Sequence, residues 1–241
     1  MYKRQLYVLS LETGKLLWSF EGQGEIEGAP LVVDGVVYFG TNDGFFYAVR
    51  RGRLVWRFSC DDKIPSGPNW VERKGKRTVL FGSYDNNLYC LDAATGEKIW
   101  RYESDNYING TPAIWRDSCV FGGCDALIHV VDLERGVRKG IFNCEAYIGA
   151  SVCVAEGKVY VGNFEGFFFC IDLRRLGTEE KSASKKGLVW KIRPTEDPII
   201  SSASVAKREV IFGSDDGRIR CVEKGKGTLL WSFLTGGIVR S

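Results

Sequence analysis

The chain of 241 residues has one histidine, one methionine and six prolines, and each scarcity closes off a class of function. A single imidazole, His129, leaves any Ser-His-Asp or Cys-His arrangement only one possible base. Few prolines and 44% apolar residues exclude a Pro-rich or disordered segment and provide for a sizeable core. No apolar run approaches the roughly 18 residues of a membrane-spanning helix. Charge of one sign is also missing, since 33 basic and 30 acidic side chains are interspersed for a net +3. That balance offers no electrostatic footprint for nucleic acid or an anionic membrane surface. The eight cysteines contain no Cys-x-x-Cys spacing, which argues against a zinc site.

What is abundant is glycine, 29 residues, and aromatic side chains, 13% of the chain, and both recur with a period. The segment from Leu6 to Phe20 returns from Leu88 to Tyr102, with weaker copies from Phe46, Ile128, Phe168 and Ile219. A tryptophan column runs through Trp18, Trp56, Trp100, Trp190 and Trp231, with Gly140 standing in the fourth place. The spacing is about forty residues, the size of one propeller blade. Between the tryptophans a second block recurs, as in Tyr38-Phe39-Gly40-Thr41-Asn42-Asp43-Gly44 and Ile211-Phe212-Gly213-Ser214-Asp215-Asp216-Gly217. An acidic residue with Gly or Asn between β-rich runs is a hairpin signal, because those residues accept the positive φ of a tight turn.

Each unit therefore reads as four short strands; in the second they are 29–34, 36–40, 45–49 and 53–59, with turns at Asp34-Gly35, Asp43-Gly44 and Arg51-Gly52. The fold class expected is an all-β propeller of four-stranded blades, about five and a half of them, incomplete at both ends. The first five residues, Met1 to Gln5, resemble the translation of a sequencing adaptor and are set apart as an expected artefact, leaving 6–241 as the repeat domain. One stretch breaks the rhythm: about 174–187, whose polar composition reads as a solvated surface insertion.

The unit around Leu91-Asp92-Ala93-Ala94-Thr95-Gly96-Glu97-Lys98-Ile99-Trp100 resembles the tryptophan-docking repeat of the pyrroloquinoline-quinone-like (PQQ-like) β-propellers. The resemblance implies that Trp18, Trp56, Trp100, Trp190 and Trp231 dock between neighbouring blades. It also implies an exported protein, periplasmic or extracellular. Members include non-enzymatic propellers that bind proteins and quinoprotein dehydrogenases that hold the quinone with calcium. Such dehydrogenases place the quinone between a tryptophan and two adjacent disulfide-bonded cysteines, and many carry a Cys-x-x-Cys-His haem motif; this sequence has neither motif. The reading is thus a non-enzymatic scaffold for protein partners, without a catalytic site, cofactor or metal. Its alternatives are a fragment of a PQQ- and calcium-dependent dehydrogenase, or a sensor or accessory propeller fused to another domain.

Placed on the repeat, the remaining candidates read as structural. Cys90, Cys170 and Cys221 share a strand column with Val8, Ala48 and Val130, so buried free thiols are expected. His129 falls in a column of Tyr7, Tyr47, Tyr89, Phe169 and Arg220, and Asp43, Asp85, Asp125, Glu165 and Asp216 fall one to a hairpin, as turn formers. Trp70 and Trp115 lie off the tryptophan column in the first strand of their blades, and Tyr107 and Tyr147 lie in matching linkers just before that strand. These four are the candidate ligand or peptide surface, expected in the central funnel.

Overall fold

A computed structural model describes residues 4–178 and 186–240. The strands, numbered in chain order, form one two-stranded and five four-stranded antiparallel sheets in which neighbours in sequence are neighbours in space. Sheet A holds β1 (Gln5–Leu9) and β2 (Leu16–Glu21). Sheet B holds β3 (Leu31–Val33), β4 (Val36–Gly40), β5 (Phe45–Arg50) and β6 (Arg53–Ser59). Sheet C holds β7 (Asn69–Arg73), β8 (Lys76–Gly82), β9 (Asn87–Asp92) and β10 (Lys98–Glu103). Sheet D holds β11 (Ala113–Trp115), β12 (Ser118–Gly122), β13 (Leu127–Asp132) and β14 (Arg138–Asn143). Sheet E holds β15 (Cys153–Ala155), β16 (Lys158–Gly162), β17 (Phe168–Asp172) and β18 (Leu188–Ile192). Sheet F holds β19 (Ser204–Val205), β20 (Glu209–Gly213), β21 (Arg218–Glu223) and β22 (Leu229–Leu234). The chain divides into two compact units, residues 1–103 with sheets A to C and 104–241 with sheets D to F.

The four expected strands of the second repeat are present, the first starting two residues later than the sequence suggests, at Leu31. Its three turns take the positive φ that selects their residues: Asp34 and Gly35 at 47° and 74°, Gly44 at 82°, and Arg51 and Gly52 at 50° and 74°. Middle strands are buried on both faces, as in β4 and β13, where every residue is buried. Successive sheets within a unit meet through rings: Phe46 stacks on Phe81 at 3.9 Å, and Phe168 on Phe212 at 3.9 Å. Such pairs add roughly 0.5–1.5 kcal/mol to the burial of the rings themselves.

The recurring Gly after the aromatic of the second block has a steric cause. A β-carbon on Gly40 would come within 2.3 Å of Ile64 Cγ2, and one on Gly162 within 2.2 Å of Ile199 Cγ2. Each of these linkers thus seats an aliphatic side chain on the glycine that ends the second strand of the sheet before it. The Ile64 and Ile199 amides then donate to the Thr41 and Asn163 carbonyls.

The irregular fourth repeat and the irregular 174–187 stretch turn out to be one feature. In sheet B the Trp56 indole N–H donates to the Ala93 carbonyl at 3.1 Å and the ring lies over Gly96 (φ 76°). In sheet E the Trp190 indole does the same to the Lys224 carbonyl at 3.0 Å, over Gly227 (φ 72°). Gly96 and Gly227 each come four residues after the acidic residue closing the third strand, Asp92 or Glu223. Four residues after Asp172 stands Leu176, and the tryptophan it would have met is Gly140. A β-carbon on Gly140 would meet Leu176 Cβ at 3.0 Å. The large side chain has moved from one partner to the other, and its loop changes to suit: a 3-10 turn runs over Leu173–Arg175 and Leu176 sits at φ −71°. Gly177 completes the contact by bridging Ile141. The reading of 174–187 as a solvated insertion is therefore corrected at its start, where Leu176 packs on the core. The stretch 179–185 lies outside the described residues.

Candidate functional site

The acidic hairpin column is spent on its own turns. Asp85 Oδ1 accepts the Asn87 amide at 3.0 Å, Asp125 Oδ1 the Leu127 amide at 3.1 Å, and Asp216 Oδ1 the Arg218 amide at 3.1 Å. The other carboxylate oxygen binds the side chain four residues on, and that partner changes from sheet to sheet. It is the Tyr89 hydroxyl at 2.7 Å, His129 Nε2 at 2.9 Å, or the Arg220 guanidinium. In sheet E, Asn163 takes over, accepting the Glu165 and Phe167 amides at 3.0 Å. His129 is fully buried, paired with Asp125 and stacked on Phe121 at 4.8 Å. The column of Tyr89, His129 and Arg220 is one of polar tethers, a pattern visible in the sequence as Asp followed four residues later by a hydrogen-bonding side chain.

Burial by itself would raise the Asp125 carboxyl, but the His129 hydrogen bond and charge, with two backbone amides, hold it below the ordinary carboxylate range. The Arg220 guanidinium, with help from Ser214, lowers Asp216 strongly against a smaller opposing effect of burial. Both carboxylates stay charged and paired, and neither is a free acid or base near neutral pH. All eight cysteines are free thiols, six of them buried. Burial pushes Cys90 up to about 12 and Cys170 up to about 11, so neither is a thiolate nucleophile. A cavity of the first unit, about 570 Å³, is lined by Asp34, Tyr38, Arg50, Glu72, Arg77 and Asp92 among others. Part of its charge is paired: Arg77 pairs with Asp34 and with Glu72, and the Tyr38 hydroxyl donates to the Ala93 carbonyl at 3.0 Å.

The candidate tryptophans and tyrosines occupy different settings. Trp56, Trp100 and Trp190 are buried, Trp18 is half-buried, and Trp231 is 44% exposed in β22, where every residue is exposed. Of the four funnel candidates, Tyr107 and Tyr147 are exposed at 44% and 57%. Trp115 does not join them. It closes β11 at the opposite end of sheet D, half-buried against the core with its ring beside the Gly157 turn. Within residues 104–241 the expected surface is corrected for Trp115, which stands away from Tyr107 and Tyr147; Trp70 belongs to the first unit, where it pairs with Val79 and is exposed.

Sequence reasoning missed Phe164, which the structure adds to the two tyrosines. In the second unit each linker meets the hairpin turn of the sheet it introduces: the Cys124 amide donates to the Tyr107 carbonyl at 2.8 Å, and the Phe164 amide to the Tyr147 carbonyl at 3.0 Å. Phe164 is 42% exposed beside Tyr147, its ring over Gly149, which Ile200 also approaches. Exposed carboxylates on these loops are Asp105, Glu145 and Glu165, and Glu196 and Asp197 stand on the next linker, between β18 and β19. The signal was available, since Phe164, like Tyr84, is aromatic at a turn position that holds Asn42, Cys124 and Asp215 in the other repeats. This acidic, aromatic loop end of residues 104–241 is the candidate site.

A family model described as outer membrane protein assembly factor BamB matches residues 1–59 and 47–139, more than half of the chain. A quinohemoprotein alcohol dehydrogenase of Comamonas testosteroni is 30% identical over 152 residues, covering 52% of this chain and 21% of that protein. An outer membrane protein assembly factor BamB of Nitrosomonas eutropha is 22% identical over 231 residues, covering 95% of this chain and 46% of that protein. The chain thus spans less than half the length of either relative. Among solved structures, BamB from Moraxella catarrhalis superposes with a TM-score of 0.80 at 16% identity, over 99% of this chain and 72% of that one. The fold is therefore an all-β propeller of four-stranded blades. Among the described residues no group of three or more His, Cys, Asp or Glu side chains is placed to hold a metal ion, and Asp85, Asp125 and Asp216 are bound to their own hairpins. No helix among the described residues is long and apolar enough to cross a membrane.

Proposed function

Since this chain belongs to the PQQ-like repeat family of the outer membrane assembly factor BamB, we propose that it is a non-enzymatic scaffold that binds protein partners. The observation that carries this reading is the linker and turn surface of residues 104–241. There Tyr107, Tyr147 and Phe164 stand exposed among carboxylates, while the chemically capable groups described above are paired or buried. Exposed aromatic side chains on rigidly held loops are the anchors that protein interfaces favour. The reading needs no quinone and no calcium. An exported location, periplasmic or extracellular, is part of the proposal and rests on the family.

The rival reading is a quinoprotein dehydrogenase, favoured by the alcohol dehydrogenases among the relatives. Titrating the full chain with pyrroloquinoline quinone and Ca²⁺, following tryptophan fluorescence and dye-coupled alcohol oxidation, separates the two. The scaffold reading expects neither saturable quenching nor turnover, and recovery of a partner that the Tyr147→Ala/Phe164→Ala chain fails to retain. Saturable quinone binding with alcohol oxidation overturns it.

A further inference from the structure

The near balance of charge over the whole chain conceals a local excess in the first unit, where two departures from the repeat meet. The residue ending the third strand is acidic in sheets C to F, as Asp92, Asp132, Asp172 and Glu223, and each accepts amides of its own turn. In sheet B that residue is Arg50. The loop after it is cut to the tight turn Arg51-Gly52, and the register sets Arg50 directly opposite Arg53.

The second departure is the hairpin of β7 and β8. These strands have 5 and 7 residues, whereas the first and second strands of the other four-stranded sheets have at most 3 and 5. The pairs gained are Glu72 with Arg77 and Arg73 with Lys76. Two hairpins thus end in cations held opposite each other by register, an arrangement that disfavours strand pairing.

Both hairpins line the cavity of about 570 Å³, Arg50 and Val55 from one and Lys76 and Arg77 from the other. Arg50 also borders an adjoining hollow of about 540 Å³ together with Arg51 and Arg53. The carboxylates of the cavity are Asp34 and Glu72, both paired with Arg77, and Asp92, which accepts the Ala94 and Thr95 amides. Arg50, Arg51, Arg53, Arg73 and Lys76 are exposed and form no ion pair among the described residues. Val33, Val36 and Val55 add apolar wall.

A guanidinium offers paired donors to an oxyanion, and opposed cations turn from mutual repulsion to joint attraction when one anion carries charge enough for both. A phosphate monoester does, with about two negative charges and three acceptor oxygens. A carboxylate or a sulfate ester carries only a single charge. Beyond the scaffold reading, and independent of it, we infer that this cavity binds an organic phosphate monoester. The phosphate is drawn to the cations of both hairpins, and the carbon body lies against the valines.

Isothermal titration calorimetry of the full chain with phenyl phosphate, phenyl sulfate and inorganic phosphate tests this. Phenyl phosphate is expected to bind saturably and more tightly than either of the others, and to weaken as salt screens the exposed cations. Its affinity should fall about tenfold or more in both Arg50→Ala/Arg53→Ala and Arg73→Ala/Lys76→Ala. Lys207→Ala/Arg208→Ala, which removes the same charge from the second unit, should bind as the parent does. Circular dichroism melting confirms that each variant keeps the fold. Sedimentation with phosphatidylcholine vesicles, with and without phosphatidic acid, separates the sources of the phosphate. Cosedimentation that needs phosphatidic acid and is lost in the two cavity variants identifies a lipid headgroup, and phenyl phosphate binding without cosedimentation identifies a soluble ester. No saturable phenyl phosphate binding, equal affinity for phenyl sulfate, or an affinity unchanged in either cavity variant overturns the inference. So does a loss in the Lys207 and Arg208 variant as large as theirs.

Discussion

Exchange of bulk between Gly140 and Leu176 is the most exacting test of how this sequence encodes its packing. Leu176→Ala removes most of a half-buried side chain from the core of the second unit. Full burial would make that cost about 2–5 kcal/mol, so half-burial puts it at about 1–2 kcal/mol. Gly140→Val alone must force its β-carbon to 3.0 Å from Leu176 Cβ and 3.5 Å from Val130 Cβ, overpacking worth about 1–3 kcal/mol. If the two changes were independent, the double variant would lose both amounts. Leu176→Ala keeps its β-carbon but removes Leu176 Cδ1, 3.6 Å from the new β-carbon, so the valine methyls gain room and the double variant should lose less than that sum. The coupling energy is then above the few tenths of a kcal/mol seen for unconnected sites. Urea unfolding of the four chains, read by circular dichroism, measures it. Additive losses would refute the account of Leu176 as the replacement for the missing tryptophan.

Further outcomes follow from the same geometry. Trp56→Phe should destabilise by about 1–2 kcal/mol, from the lost indole hydrogen bond and smaller ring. The loss is limited because the Ala93 carbonyl keeps its bond from the Tyr38 hydroxyl; equilibrium unfolding reads it. Asp125 and Asp216 are held below their ordinary values, so each contributes stability that is fully present above the unfolded carboxyl value of about 4. That contribution is lost as pH falls through the lower folded value. Stability measured downward from pH 5 should therefore fall, and Asp216→Asn should flatten that fall; an unchanged slope would contradict the pairing with Arg220. Native thiol labelling with a maleimide should modify half-buried Cys124 and Cys153 well before Cys60, Cys90, Cys144 and Cys170, and a uniform rate would contradict the burial. Gly40→Ala should destabilise by about 2 kcal/mol or more, since Ile64 occupies the space; paired with Ile64→Ala it should lose less than the sum, as unfolding measurements on both would show.

Period, strand content and turn positions were legible because each depends on local chemistry: Asp34-Gly35 and Arg51-Gly52 select their own positive φ, and alternating apolar runs select strands. The glycine after the aromatic of the second block was visible as a pattern, but its reason was not, since Ile64 reaches Gly40 through tertiary contact. Likewise Gly140 and the 174–187 stretch read as two unrelated departures. Only packing brings Leu176 to Gly140, so their compensation cannot be heard in either segment alone. At the candidate site Tyr107 and Tyr147 were legible by their matching linker positions. Trp115 was misplaced because membership of a first strand does not say which end or which face of it a side chain occupies. Phe164 was passed over because a turn column read for its acidic neighbour hides a change from polar to aromatic.

The central claim, that the linker and turn end of residues 104–241 is where this protein meets its partners, is tested most directly by site-specific photocrosslinking. A benzophenone amino acid is placed at Tyr147 in one chain and at Arg116, on the opposite turn of the same unit, in another. The account predicts that a discrete protein partner is crosslinked from position 147 and not from 116. Crosslinking from 116 alone, or equally from both, would contradict it.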